Sequence, residues 1–137
     1  MEENRGLQPL GSPLMALPAL IAVVDDDASV LDSLPELLED MGFRARGFSS
    51  AVEFLGSGAM QDTDCLVLDI AMPGMTGPDL RDELQTRGCA IPIIFMTAQN
   101  DEAIRSALLE QGAKACLFKP FKEDALRAAL DLAVDSS

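Results

Sequence analysis

From Ala19 onward, short apolar runs alternate with segments whose apolar positions recur every three or four residues. Leu20-Ile21-Ala22-Val23-Val24 is an unbroken apolar run ending in acids, the pattern of a strand buried on both faces. Val30, Leu31, Leu34, Leu37, Leu38 and Met41 then fall at helical spacing, and Gly42 follows as a stop signal. Pro35 lies inside this pattern. It has no N–H to donate and its ring crowds residue 31, so the pattern predicts a kink or a later helix start. Phe43 to Phe48 alternates apolar with polar residues, as a half-exposed edge strand does.

The alternation continues. Ser50 and Glu53 have the spacing of a capping box for a short second helix. Cys65-Leu66-Val67-Leu68 is the next buried strand and ends at Asp69. A loop with Pro73, Gly74 and Gly77 leads to a third helix predicted over 78–86, whose Asp79, Asp82 and Glu83 read as a solvated face. Residues 91–96 predict a fourth strand ending at Thr97, and 102–111 a helix closed by Gly112. Residues 115–118 predict a fifth strand ending at Lys119, and 122–134 a last helix. Five β-α units in succession imply an α/β fold with a parallel sheet and helices on both faces. In such folds the site forms at the carboxyl ends of the strands, where the strand order reverses.

Composition sets the bounds. A chain of 137 residues, 48% apolar and 24% charged, suits one ordinary domain. We take residues 1–18, rich in Pro and Gly, as a flexible tail and 19–137 as the domain. A formal charge of −13 opposes nucleic acid and anionic membranes as partners and favours basic surfaces and divalent cations. The three cysteines, Cys65, Cys89 and Cys116, are an odd number with no CxxC, and the chain has no His, which argues against a zinc site. Cys65 and Cys116 read as small core residues in a reducing cytoplasm. Neither a signal peptide nor a membrane span is expected.

The strand ends carry the candidate chemistry: Asp25 and Asp26, Asp69, Thr97 and Lys119. Converging carboxylates repel one another unless a cation lies between them. Oxygen ligands alone select a hard ion, Mg²⁺ or Mn²⁺. With a hydroxyl and an ammonium beside them, the set suits phosphoryl transfer, which needs in-line positioning and charge neutralisation. One carboxylate must act as nucleophile, and Asp69, central in the predicted sheet beside a Gly/Pro loop, is the candidate. Taken singly, each residue has a plainer explanation, such as a helix start for Asp25–Asp27 or a cap for Thr97. Those explanations do not account for all five falling at the carboxyl ends of strands one, three, four and five.

The residues Val23-Val24-Asp25-Asp26-Asp27, Leu68-Asp69-Ile70-Ala71-Met72-Pro73-Gly74-Met75-Thr76-Gly77, Phe95-Met96-Thr97-Ala98 and Lys119-Pro120-Phe121 resemble, in order and spacing, the four signatures of bacterial response-regulator receivers. The resemblance covers residues 20–134. It implies a flavodoxin-like five-stranded sheet in the order 2-1-3-4-5 flanked by five helices. It also implies a phosphoacceptor role for Asp69, with a histidine kinase or histidine phosphotransfer protein as donor. Mg²⁺ would be held by Asp26, Asp69 and the backbone carbonyl of Ala71, with Asp25 assisting through water. Thr97 and Lys119 would contact the phosphoryl group, and Lys119-Pro120 would be a cis peptide. The fourth helix, fifth strand and fifth helix would form the output surface, which also serves for homodimerisation.

The sequence departs from the family pattern at Cys116, where many members carry a Tyr or Phe that turns inward on activation. The first helix is also unusually acidic, with Asp32, Glu36, Glu39 and Asp40 on or near the face that receivers present to kinases. The sequence disfavours two rival functions. A haloacid-dehalogenase-like phosphohydrolase needs a second acid two positions after the nucleophile, where Ala71 stands. A pseudo-receiver would lack site residues, and none of the five is missing.

Overall fold

The four apolar runs and the alternating segment before residue 49 form five strands, and all of them pair in parallel. The computed structural model describes residues 17–135. Most of the segment read as a tail, 1–16, therefore lies outside the described residues. In chain order the elements are β1 (Leu20–Val24), α1 (Ala28–Asp40), β2 (Arg44–Phe48), α2 (Ala51–Gly56), a single 3₁₀ turn (Ala59–Gln61), β3 (Cys65–Asp69), α3 (Gly77–Thr86), β4 (Ile93–Thr97), α4 (Glu102–Glu110), β5 (Ala115–Phe118) and α5 (Glu123–Asp135). The sheet order is β2-β1-β3-β4-β5.

The unbroken apolar runs have a direct cause: β1, β3 and β4 are buried along their whole length. On one face Ile21, Val23, Val67, Ile94 and Met96 share a core with Leu34 and Leu38 of α1 and Leu126 and Leu130 of α5. On the other, Ala22, Val24, Leu66, Leu68 and Phe95 share a core with Phe54 of α2, Leu80 and Leu84 of α3 and Leu108 of α4. Each fully buried aliphatic or aromatic side chain contributes about 1.5–3 kcal/mol relative to exposure. This two-sided core is what holds the strand ends in register.

Local expectations were met with adjustments. Pro35 does not delay α1, which starts at Ala28 because Asp27 caps it, and runs past Pro35 to Asp40. α1 packs over β2 at Gly47, where a Cβ would crowd Leu31 at 3.2 Å and stand in ordinary contact with Pro35 at 3.6 Å. Ser50 accepts from the Glu53 amide at 3.0 Å as expected. The Glu53 carboxylate, however, accepts from the amide of Ser49 and not from that of Ser50, so the reciprocal half of the box is displaced by one residue. β4 starts at Ile93, two residues later than the apolar run suggests.

Candidate functional site

Reversal of the strand order between β1 and its neighbours sets the carboxyl ends of β1 and β3 side by side, with β4 and β5 beyond. Asp25 follows β1 and is fully buried. Its amide donates to the Phe48 carbonyl at 3.1 Å. Its carboxylate accepts from the Asp27 amide at 3.0 Å and from Lys119 Nζ at 2.7 Å. Asp27 is drawn away from the cluster, because its own carboxylate accepts from the Ser29 amide and hydroxyl at 2.9 and 2.7 Å. Those bonds, the hydroxyl's first, lower the pKa of Asp27.

Asp69 ends β3 and is 6% exposed. Its Oδ1 accepts from the Ala71 amide at 3.4 Å, and its Oδ2 lies 3.7 Å from Lys119 Nζ. Asp26 is exposed at the rim. Asp25, Asp26 and Asp69 each offer a carboxylate oxygen, and the three oxygens lie within 4.8 Å of one another. Three hard oxygen donors this close, two of them buried, fit a small divalent cation such as Mg²⁺.

The electrostatics follow from the packing. Burial, then the charge of Asp25, raise the Asp69 carboxyl to about 6, with Lys119 opposing. Burial by itself favours the neutral amine of Lys119, but the Asp25 hydrogen bond and the charge of Asp69 outweigh it and raise its pKa. Thr97 ends β4 with a buried side chain, and its Oγ1 accepts from the Gln99 amide at 3.1 Å. The Lys119-Pro120 peptide is cis. A hollow of about 550 Å³ adjoins Lys119, lined by Val30, Leu34 and Leu37 of α1 and by Phe121. A second cavity, of about 640 Å³, lies at the opposite end of the sheet, among Leu84, Cys89, Ile91 and Lys114, far from the acids.

The response regulator receiver domain model matches residues 21–131. This chain belongs to the response regulator receiver family. The receiver is 39% identical over 119 residues to the response regulator protein TmoT of Ectopseudomonas mendocina, covering 84% of this chain and 54% of that protein. It is 38% identical over 110 residues to the transcriptional regulatory protein FixJ of Azorhizobium caulinodans, covering 80% of this chain and 52% of that one. Among solved structures it is similar to the response regulator StyR, with a TM-score of 0.79 and 39% identity over 88% of this chain and 61% of that chain. The receiver thus spans about half the length of the relatives it matches.

The five strand-end residues singled out in the sequence lie at or beside the carboxyl ends of β1, β3, β4 and β5, but the sequence reading missed contacts around them. Asp79 is not merely part of a solvated face: with Thr76 it closes a reciprocal capping box at the start of α3. The Thr-x-x-Asp spacing ahead of a helix was the available signal. Two contacts had no sequence signal. Arg81 stands over the Phe95 ring at 5.9 Å, and Arg105 over the Phe118 ring at 5.7 Å. Arg105 so bridges α4 to the residue before Lys119.

Proposed function

We propose that this receiver accepts a phosphoryl group on Asp69 from a phosphohistidine, with Mg²⁺ bound, and acts as a signalling switch. The observation that carries the reading is the clustering of Asp25, Asp26 and Asp69 with Lys119 at one edge of the sheet. Asp26, Asp69 and the Ala71 carbonyl would hold the cation directly, and Asp25 would assist through water. The cation, when bound, neutralises charge on the carboxylates and the incoming phosphoryl oxygens. An Asp69 carboxylate oxygen attacks phosphorus, the phosphorus–nitrogen bond to the donor imidazole breaks, and the leaving nitrogen takes up a proton. Lys119 turns from Asp25 toward a phosphoryl oxygen.

Thr97 reports the event. In swinging its hydroxyl toward a phosphoryl oxygen, Thr97 carries its oxygen away from the Gln99 amide, and that movement, not the donated proton, frees residues 98–101. The Asp101 amide is bonded to the Gln99 carbonyl at 3.0 Å, and the Asp101 side chain caps α4. The movement therefore reaches α4 directly. Leu109 on α4 and Leu132 on α5 are exposed. They support α4, β5 and α5 as the surface that meets an output partner or a second copy. The hollow beside Lys119, together with the acidic α1, supports docking of a kinase or phosphotransfer protein there. The free cysteines suit a reducing cytoplasm, and no described helix is long and apolar enough to cross a membrane.

Incubation with acetyl phosphate and Mg²⁺ tests the reading. One added phosphoryl group supports it. Steady turnover of many phosphate esters points to a hydrolase, and absence of any adduct points to a pseudo-receiver.

A further inference from the structure

Gly77 is the first residue of α3 and is buried. A Cβ at this position would stand 2.5 Å from the Asp69 carbonyl oxygen, 3.1 Å from Ile70 Cα and 3.2 Å from the Asp69 carbonyl carbon. All three are backbone atoms, so no side-chain rotation relieves the contact. Among the described residues the glycines with positive φ are Gly42, Gly58, Gly74, Gly88 and Gly112, and Gly77 is not one of them. Conformational freedom is therefore not what requires glycine here. Close approach is.

The peptide that Gly77 touches is held at its amide, and the next peptide at its carbonyl. The Ile70 amide donates to the Met96 carbonyl at 2.9 Å, and the Ile70 carbonyl accepts from the Gly77 amide at 3.0 Å. The start of α3 is held in turn by the Thr76–Asp79 capping box and by the buried Leu80 and Leu84. The helix cannot draw back without disturbing the core, and β3 cannot move without breaking the sheet. The Asp69 carboxylate and the Ala71 carbonyl both hang from this one peptide and its neighbour.

We infer that Gly77 is a positioning residue. It seats α3 directly on the Asp69–Ile70 peptide and so fixes the acceptor carboxylate and the Ala71 carbonyl relative to Asp26. The inference rests on the proposed phosphoacceptor site and names a residue outside the acid cluster that sets its geometry. A misplacement near 1 Å can cost on the order of a hundredfold in a reacting group's rate, and a single methyl at Gly77 has no room that is not taken from this peptide.

The test compares Gly77→Ala with Thr76→Ala in the full chain. Thr76→Ala removes the cap and lowers the melting temperature, but adds nothing against the Asp69 carbonyl. We expect Gly77→Ala to fold and melt cooperatively, yet to lose roughly tenfold or more in Mg²⁺ affinity by calorimetry and in acetyl phosphate labelling rate. Its metal-free Ile70 and Ala71 amide resonances should shift. Thr76→Ala should keep all three near wild type. Three outcomes would overturn the inference: wild-type Mg²⁺ affinity in Gly77→Ala, equal losses in both variants, or a Gly77→Ala chain that does not fold. Should the wild-type chain itself take no phosphoryl group, the phosphoacceptor reading falls, while the Mg²⁺ and resonance comparisons still decide the role of Gly77.

Discussion

Lys119 donates a 2.7 Å hydrogen bond to the fully buried carboxylate of Asp25, while its nitrogen stands 3.7 Å from Asp69. The lysine is thus anchored to Asp25 and not to Asp69, the proposed phosphoacceptor, from which it is one short swing away.

Removing this amine leaves a buried charge without its partner, which costs about 3–5 kcal/mol in comparable pairs. Lys119→Met keeps most of the stem and removes only the charge. It should lower the metal-free unfolding free energy by about that amount. Added Mg²⁺ should recover much of the loss, because the cation takes over the compensation. Urea unfolding with EDTA and with Mg²⁺ measures both; equal losses in the two conditions would separate Lys119 from the acid cluster.

Asp69 gives a pH dependence with a definite sign. Its carboxyl is raised from 3.8 to about 6 in the folded, metal-free protein, chiefly by burial and next by Asp25. Below about pH 4 the group is protonated in both folded and unfolded chains and costs nothing. As pH rises toward about 6 the unfolded chain gives up its proton and the folded chain keeps it, so stability falls across that window. Asp69→Asn removes this loss. The variant should gain on the order of 1–3 kcal/mol over wild type near pH 7 in EDTA, and little near pH 4. A gain of the same size at both pH values would remove ionisation as its cause.

The switch is predicted to run through Thr97 and not through Cys116. Cys116 is buried in the core shared by Phe95 and Leu108 and is too small to swing between two packed positions as a ring does. Phe118 does not replace it: it lies one step nearer the site and is covered by Arg105. Apo and beryllofluoride-bound proteins can be compared by NMR for each variant. Cys116→Ala should keep the activated shifts of α4, and Thr97→Ala should lose most of them. The reverse pattern would make Cys116 the relay.

What the sequence disclosed follows from range. Strands buried on both faces write themselves as unbroken apolar runs, as with Ile21 to Val24 and Leu66 to Leu68, so the β-α alternation was readable. The strand order came from the resemblance, since local pattern does not say which strands are neighbours. Asp25, Asp69, Thr97 and Lys119 stood out because each closes or follows a strand. The seating of Gly77 on Asp69 and of Arg105 on Phe118 depends on tertiary approach between elements, which no local spacing encodes. Of the two expectations for Pro35, the later helix start is not met, because the Asp27 cap sets the start at Ala28.

Asp69 is the proposed phosphoacceptor. Intact mass of the wild-type chain and of Asp69→Asn, each after incubation with acetyl phosphate and Mg²⁺, tests it most directly. The amide is nearly isosteric with the carboxylate but a poor nucleophile, so the variant should fold and remain unmodified while the wild type gains the mass of one phosphoryl group. Undiminished labelling of Asp69→Asn would contradict the account.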